Sequence, residues 1–168
     1  IMDSVKTLLN AEGSSLMLLD RERQVLTFSV VTGDKGDELK QVEVPVGVGI
    51  AGIVAESGEP LIINDAQTDD RVFKGADEKT SMITRNIACV PLMTGGRTIG
   101  VLEAINSLDR DTFTDDDLLV LMAFSEQAAI SITNRKLYDR LKSRVEELSS
   151  LYEISQLATS KRHQNDLL

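Results

Sequence analysis

The segment that decides the fold runs from Thr84 to Asn106 and reads TRNIACVPLMTGGRTIGVLEAIN. Two apolar runs flank the pair Gly95-Gly96, which predicts a β-hairpin with a two-residue turn. With that turn, Thr94 pairs with Arg97, and the same spacing sets Leu92 opposite Ile99, Val90 opposite Val101, Ala88 opposite Glu103 and Pro91 opposite Gly100. Both strands are apolar on both faces, so we expect them in the centre of a sheet.

Side chains alternate across a strand, so this register separates two faces of the hairpin. One face carries Glu103, a carboxylate set opposite the small side chain of Ala88. The other face is fully apolar and carries Cys89, which predicts a buried, unreactive thiol. The first face therefore has room and one polar group, as a ligand pocket does.

The composition limits the possible partners of the chain. Its 168 residues carry a formal charge of −9, with a pI near 4.6, which argues against nucleic acid as a partner. No apolar run approaches the roughly 18 residues of a membrane span, and no signal peptide is visible. A single Cys fits a reducing compartment, so we expect a cytoplasmic protein.

The first half of the chain predicts a small helix and a set of short strands. Residues 1–11 favour a helix that ends at Gly13, followed by strands at 14–20 and 24–32. Alternating valines at 42–46 predict a third strand, and residues 61–63 predict a fourth.

Two segments between these strands allow both a functional and a plain interpretation. Glycines from Gly47 to Gly52 lead into a helix of about eight residues, whose first N–H groups could hold an anion or could belong to a simple turn. Residues 64–83 form a long polar connection, which is either a lid over the open face of the sheet or a solvated loop.

The C-terminal third predicts one long helix. Thr114 is a suitable N-cap, and Asp117 occupies the acidic position of a capping box. The helix is expected to continue to about residue 160, because neither Pro nor Gly interrupts it. From Leu137 to Leu157 apolar residues recur every three or four positions, which favours a parallel coiled-coil dimer. Docking of this stripe on the domain's own sheet is the alternative.

The sequence offers little for catalysis. Its single His, His163, lies near the C-terminus, and Cys89 is the single thiol. Neither a zinc site nor a Ser-His pair can be assembled from these residues, and no other metal or resident cofactor is expected. We therefore predict that the segment is not an enzyme.

Several segments together resemble the GAF domains, small-molecule-sensing modules of signalling proteins. The resemblance covers about residues 1–134 and is carried by residues 15–20, 49–52, 65–66, 70–73, 84–92 and 100–106. It implies an α+β fold with a central antiparallel sheet of about six strands. Helices at the chain ends would cover one face, and a ligand pocket with its lid would cover the other, with a long C-terminal helix.

The cyclic-nucleotide-binding members of that family are the closest in motif, and the resemblance implies a set of ligand contacts. Backbone at the start of the glycine-led helix would meet the phosphate, and further contacts would come from the first strand, the lid, the sixth strand and the end of the second strand. The residues at these positions are Ile50, Ala51, Ser15, Asp77, Thr80, Thr84, Glu103, Val31 and Thr32.

The chain also departs from that pattern. Val31 and Thr32 stand where an aromatic residue and an Asp bind the base. Asn106, Phe113 and Asp117 match the family's signature, but Ser107 replaces its Lys and Leu118 its Glu. The resemblance therefore implies a retained pocket shape with altered base recognition, and the Lys–Asp salt bridge of the signature cannot form.

These observations predict a sensory domain at 1–134 and a signalling helix at 135–168 that leads to an output domain. The expected protein is a multidomain bacterial signal-transduction protein whose small-molecule effector could be a cyclic nucleotide. We expect a homodimer through the terminal helices, without direct membrane insertion of this segment. The alternative is a dimerisation or spacer module with no ligand.

Overall fold

A computed structural model describes residues 1–32, 39, 41–73 and 83–165, with side chains up to Leu157. The elements follow in the order α1 (Met2–Leu8), β1 (Ala11–Asp20), β2 (Val25–Val31), β3 (Glu43–Pro45), α2 (Gly49–Ser57), β4 (Leu61–Ile63), β5 (Ile87–Thr94), β6 (Arg97–Ser107) and α3 (Asp115–Asn165). The chain divides into two compact units, Ile1–Ile130 and Ser131–Leu168.

The described strands form one antiparallel six-stranded sheet with the order β3-β2-β1-β6-β5-β4. The longest strands, β1 and β6, lie in its centre, where both faces are buried. The predicted α+β class, the sheet of about six strands and the long C-terminal helix are confirmed.

The β5–β6 hairpin has the predicted turn but a different register. Thr94 pairs with Arg97 as expected, and an irregularity between Leu92 and Met93 then shifts the pairing by one residue. Ile99 is the extra residue of this β-bulge, because Met93 pairs with Thr98 and Leu92 with Gly100. The predicted partners beyond the turn are therefore wrong.

The shift moves Cys89 to the other face of the hairpin. Cys89 pairs with Glu103, Ala88 pairs with Ala104, and Pro91 pairs with Val101. Cys89 thus shares a face with Glu103, and the prediction that it lies on the opposite, fully apolar face is wrong. The physical reason is that side chains alternate with a period of two, so one inserted residue exchanges the faces of one strand relative to its partner.

The beginning of the chain also differs from its prediction. Helix α1 ends at Leu8, and Asn10 takes a left-handed backbone conformation (φ 45°), which Asn tolerates better than most residues. Strand β1 then begins at Ala11, so Gly13 lies inside the strand and does not end the helix. The third strand is also shorter than predicted and covers Glu43–Pro45.

The two remaining helices begin as the sequence predicts. Helix α2 begins at Gly49, spans nine residues to Ser57 and is capped by Gly58 in a left-handed conformation (φ 70°). At the start of α3, the backbone N–H and hydroxyl of Thr114 donate to Asp117 Oδ2 at 2.8 and 2.9 Å, and the N–H of Asp117 donates to Thr114 Oγ1 at 3.3 Å. This reciprocal pair is the predicted capping box.

Candidate functional site

A cavity of about 80 Å³ lies between one face of the sheet, the start of α2 and residues 72–73. One water needs a cavity volume of about 10–15 Å³, so this cavity has several times the volume that a single water needs. Its apolar side chains are Met17, Phe28, Val31, Leu39, Val44, Ile50, Ala51, Val72, Phe73, Ile87 and Ile105; its polar side chains are Ser14, Ser15, Thr32, Thr84 and Glu103.

The structure brings seven of the nine predicted ligand contacts to this cavity. Ser15 and Glu103 face each other across β1 and β6, and Val31 pairs with Ser15 from β2. Thr32 follows β2, Thr84 precedes β5, and Ile50 and Ala51 lie in the first turn of α2; all seven line the cavity. Asp77 and Thr80 lie outside the described residues.

Among the described residues that line the cavity, Glu103 is the one that can carry a charge. Only 5% of its surface is exposed, and Ser15 Oγ donates to its Oε2 at 3.0 Å. Burial raises the pKa of Glu103 to about 7, although hydrogen bonds from Ser15 and Cys89 favour the ionised form. The carboxyl group therefore exchanges its proton near neutral pH.

Cys89 does not line the cavity itself, but it contacts Glu103, and the sequence analysis missed this contact. Its thiol is fully buried beside Glu103 and hydrogen-bonds to the carboxyl group. Burial, and then the charge of Glu103, raise the pKa of the thiol well above its ordinary value. The burial and the raised pKa of the thiol favour the predicted low reactivity, but Cys89 lies beside a carboxyl group and not on a fully apolar face. No signal in the sequence revealed the bulge that brings the two residues together.

The hydroxyl of Thr32 is held by the protein itself. The N–H of Ser14 donates to Thr32 Oγ1 at 2.9 Å, and the two hydroxyls lie 3.1 Å apart. Ser14 Oγ also donates to the carbonyl of Met2 at 3.1 Å. Thr32 therefore ties the end of β2 to β1 and α1 at the rim of the cavity.

Phe73 covers the start of α2. A Cβ added at Gly49 would lie 2.6 Å from the Cβ of Phe73, so Phe73 packs directly against Gly49 and leaves no room for a side chain there. Gly49 also has a left-handed conformation (φ 69°), which glycine adopts without steric cost. The first turn of the helix contributes Ile50 and Ala51 to the cavity beside this contact.

Both ends of the connection between β4 and β5 are tied to the sheet. The N–H of Ala66 donates to the carbonyl of Arg85 at 2.9 Å, and Gln67 Nε2 donates to the carbonyl of Thr84 at 2.7 Å. Asn106 Oδ1 accepts the N–H of Arg85 at 2.7 Å, and Asn106 Nδ2 donates to the carbonyl of Ile83 at 2.9 Å. Thr84 is thereby fixed at the cavity.

A second set of contacts joins this region to the start of α3. Asn86 Nδ2 donates to the carbonyl of Asp111 at 2.9 Å, and Asn86 Oδ1 accepts the N–H of Ser107 at 2.8 Å. Asn64 and Phe113 exchange two hydrogen bonds of 2.8 and 3.1 Å. The segment before α3 is therefore bound to both ends of the β4–β5 connection.

Arg110 supplies a cation to Asp117 that the sequence analysis did not anticipate. Its NH2 group lies 2.9 Å from Asp117 Oδ1. Burial favours the neutral acid, but the N–H of Thr114, Arg110 and the Thr114 hydroxyl together hold the pKa of Asp117 below its ordinary value. Ser107 replaces the Lys of the family's signature, but Asp117 still forms an ion pair, because Arg110 supplies the cation from a position three residues after Ser107.

The described residues contain no group of three His, Cys, Asp or Glu side chains placed to hold a metal ion. In the same part of the chain, no helix has both the length and the apolar character needed to cross a bilayer. The described polar side chains at the cavity are the hydroxyls of Ser14, Ser15, Thr32 and Thr84 and the carboxyl group of Glu103.

Comparison with known proteins identifies a family that matches most of this chain. The sequence profile of the family described as GAF domain matches residues 1–132. A probable 3',5'-cyclic phosphodiesterase, pde-5, of Caenorhabditis elegans is 31% identical in an alignment that covers 84% of this chain and 21% of the relative. The dual 3',5'-cyclic-AMP and -GMP phosphodiesterase 11 of Drosophila melanogaster is 31% identical over 94% of this chain and 12% of its own length.

Among solved structures, the GAF domain of a phosphoenolpyruvate-protein phosphotransferase from Coxiella burnetii superposes with a TM-score of 0.73. The alignment covers 82% of this chain and 80% of that domain at 17% identity, which establishes a shared fold. The chain spans about an eighth to a fifth of the phosphodiesterases it matches.

Proposed function

This chain belongs to the GAF domain family, and from that premise we propose that it is the ligand-sensing module of a multidomain signalling protein, regulatory and not catalytic. The observation that supports the proposal best is the cavity, which combines an apolar lining with the buried carboxyl group of Glu103. A buried ionisable group is costly unless it has a partner, and concave apolar sites with few polar groups are typical of ligand pockets.

The proposed effector is a small molecule, and cyclic nucleotides are the first class to test. Relatives named as cyclic phosphodiesterases motivate that choice, as does the first turn of α2, which brings Ile50 and Ala51 to the cavity. Val31 and Thr32 weaken it, because neither can stack on a base or offer a carboxylate, and Thr32 already bonds Ser14.

The proposed signal path starts at the end of the β4–β5 connection. Thr84 lines the cavity. The Asn106 side chain hydrogen-bonds to Ile83, which precedes Thr84, and the nearby Asn86 hydrogen-bonds to Asp111. A ligand that repositions Thr84 would therefore move the segment that carries Asp111 and Phe113. That segment leads directly into the capping box of α3, which is the element proposed to pass the signal to an output domain.

The second candidate is a dimerisation or spacer module with no ligand. It is favoured by the exposed apolar side chains of the second unit, which are Leu137, Tyr138, Leu141, Val145, Leu148, Leu151, Tyr152, Ile154 and Leu157. Both candidates share a homodimer through these helices and a boundary between residues 134 and 135. In the first candidate, residues 1–134 are a sensory domain and residues 135–168 a signalling helix. A bacterial origin and a cytoplasmic location also stay predictions; the curated relatives reported above are animal proteins.

Native mass spectrometry of freshly purified protein, followed by calorimetry with cyclic GMP and cyclic AMP, tests the proposal. A ligand-sensing module should retain a small molecule or bind one added to it. Glu103→Gln should weaken that binding, whereas Glu59→Gln, an exposed carboxylate outside the cavity, should leave it unchanged. A protein that retains nothing, and whose cavity admits no ligand, would support the spacer module instead.

A further inference from the structure

The described lining of the cavity has an acidic side chain and no basic one. Among the described residues that line it, Glu103 is the single ionisable side chain, and none is a Lys, Arg or His. The two arginines nearest in sequence to the lining residues are engaged elsewhere, since Arg71 binds Asp69 at 2.6 Å and Arg85 lies 3.5 Å from Glu12. The described wall of the cavity therefore supplies a buried acid without a cation to neutralise it.

The groups that contact Glu103 are weak neutral donors. Ser15 donates from β1, and Cys89 contacts the carboxyl group from β5. A carboxylate offers about four acceptor positions, so these two donors leave capacity for further hydrogen bonds. Glu103 itself lines the cavity, which means that this capacity is available to a bound molecule.

An anionic ligand has less to gain here. The positive end of α2 is the feature of the cavity that could attract an anion, and Phe73 packs directly on Gly49 at that end. A negative group near Glu103 would also be repelled in a medium where charges interact strongly. A cation, by contrast, would neutralise the carboxylate in place.

We propose that this cavity takes a small ligand with an apolar body and a positively charged N–H donor, a primary ammonium or an amidinium group, that binds the carboxylate of Glu103. The inference rests on the proposed function, since it assumes that the cavity is a ligand site, but it names a different ligand class from the cyclic nucleotides. Charge-assisted hydrogen bonds between such a cation and a carboxylate are among the stronger ones in proteins.

Binding of the cation should be linked to the proton on Glu103. The pKa of this group is about 7 in the free protein, so at pH 6 most molecules must release a proton before an ion pair can form. The affinity for a cation should therefore rise with pH up to about 8 and then level off. Cys89 is the other described titratable group in contact, and its raised pKa keeps it neutral over this range.

Four probes of similar size and different charge test the proposal: benzylamine, benzamidine, benzyl alcohol and benzoate. Their binding is followed through the ¹³C-labelled δ-methyl signals of Ile50, Ile87 and Ile105, which line the cavity. We expect the two cations to bind about 10- to 100-fold more tightly than benzyl alcohol, as hydrogen bonds to charged groups predict. Benzoate should bind most weakly.

The same titration in variants identifies the residue responsible. Glu103→Gln should remove both the preference for cations and its dependence on pH, while Glu59→Gln should keep both. Lys74→Met and Lys79→Met test whether a lysine of the chain itself neutralises Glu103. If either variant gains affinity for benzylamine by about tenfold or more, the carboxylate already has an internal partner and the proposal is wrong.

Three further outcomes would overturn the inference. They are equal affinity for benzoate and benzylamine, a cation preference that survives in Glu103→Gln, and no shift of the three methyl signals with any probe at millimolar concentration. Failure of the proposed function is a separate result, because a retained metabolite or a bound cyclic nucleotide without cation preference would leave the sensory role intact and reject only the ligand class.

Discussion

Glu103 combines two properties that compete. Its side chain is almost completely buried, which favours the neutral acid, and it accepts hydrogen bonds from Ser15 and Cys89, which favour the carboxylate. Burial has the larger effect, so the folded chain holds this proton more tightly than the unfolded chain does. The difference in proton affinity between the folded and the unfolded chain makes Glu103 one source of pH dependence in the stability of the fold.

We expect the free energy of unfolding to fall as the pH rises from about 4.5 to about 7. In that interval the folded protein binds the Glu103 proton and the unfolded chain has lost it, so unfolding releases a proton and higher pH favours it. The shift from 4.5 to about 7 corresponds to a loss on the order of 3 kcal/mol. Urea unfolding of the ligand-free protein between pH 4 and pH 8 measures it.

Glu103→Gln should lose this part of the pH dependence and be at least as stable as the parent at pH 8. Glu59→Gln is the matched control and should follow the parent curve, because Glu59 is exposed. Identical slopes for the parent and Glu103→Gln would mean that the group does not hold its proton as described.

Cys89 should react slowly with thiol reagents in the native protein. Its sulfur is buried and its pKa is raised, so both access and the thiolate fraction are low. We expect native labelling to be slower than labelling in denaturant by a factor on the order of one hundred or more, since it requires local opening. An exposed reference thiol, Thr68→Cys in a Cys89→Ala background, should react quickly in both conditions. Stoichiometric native labelling of Cys89 within seconds would contradict the burial.

The sequence was informative about which residues meet at the site, and less so about their neighbours. Seven predicted contacts line one cavity because motif positions transfer through a shared fold, even where the side chains themselves have changed. Cys89 was placed on the wrong face, and Arg110 was missed as the partner of Asp117. Both errors concern pairings between segments, which depend on local insertions and side-chain reach and leave no periodic pattern.

The β5–β6 hairpin shows the same division between what a sequence encodes locally and what it does not. Gly95 and Gly96 both have left-handed conformations (φ 55° and 72°), as the predicted tight turn requires. The bulge at Ile99 has no comparable signature. The start of α3 was predictable because its capping residues act within one turn, whereas the end of α1 depended on Asn10 and not on the expected Gly13.

Gly100→Ala should destabilise the sheet more than Gly95→Ala does. A Cβ at Gly100 would collide with the carbonyl oxygen of Met17 on β1 and crowd Leu92, so the strands must separate. We expect a loss of about 3 kcal/mol or more for this overpacked central position. Gly95 has open space around it, so Ala there should cost about 1–2 kcal/mol through its left-handed backbone alone.

Thermal or urea unfolding of both variants measures the difference. An equal, small effect at the two positions would show that β1 and β6 approach less closely at Gly100 than the structure indicates. The comparison is informative because both substitutions add the same methyl group to the same hairpin.

The chain as a whole should form a parallel dimer through its second unit. The stripe of Leu137, Leu141, Leu148 and Leu157 is more than half exposed in the single chain, and a helix with an uncovered apolar stripe gains stability from a partner helix. Analytical ultracentrifugation should therefore give twice the mass of one chain for the full chain, and the mass of a single chain for a version that ends at Asn134.

A full-length variant separates this prediction from an effect of truncation. Leu141→Glu with Leu148→Glu should yield monomers, while Lys142→Glu, a change at a neighbouring position outside the stripe, should still give dimers. Monomeric mass for the unaltered chain at micromolar concentration would refute the coiled coil.

The extra residue at Ile99 also limits how this hairpin can vary in length. Adding or deleting one residue between Met93 and Gly100 would exchange the pocket-facing and back-facing side chains of one strand relative to the other, and Cys89 would no longer oppose Glu103. Homologues and engineered chimeras can therefore vary the residue types in the hairpin turn. The number of residues between Met93 and Gly100 must stay matched to the strand that lines the pocket. A graft that copies only the turn would carry the sequence of the site without its geometry.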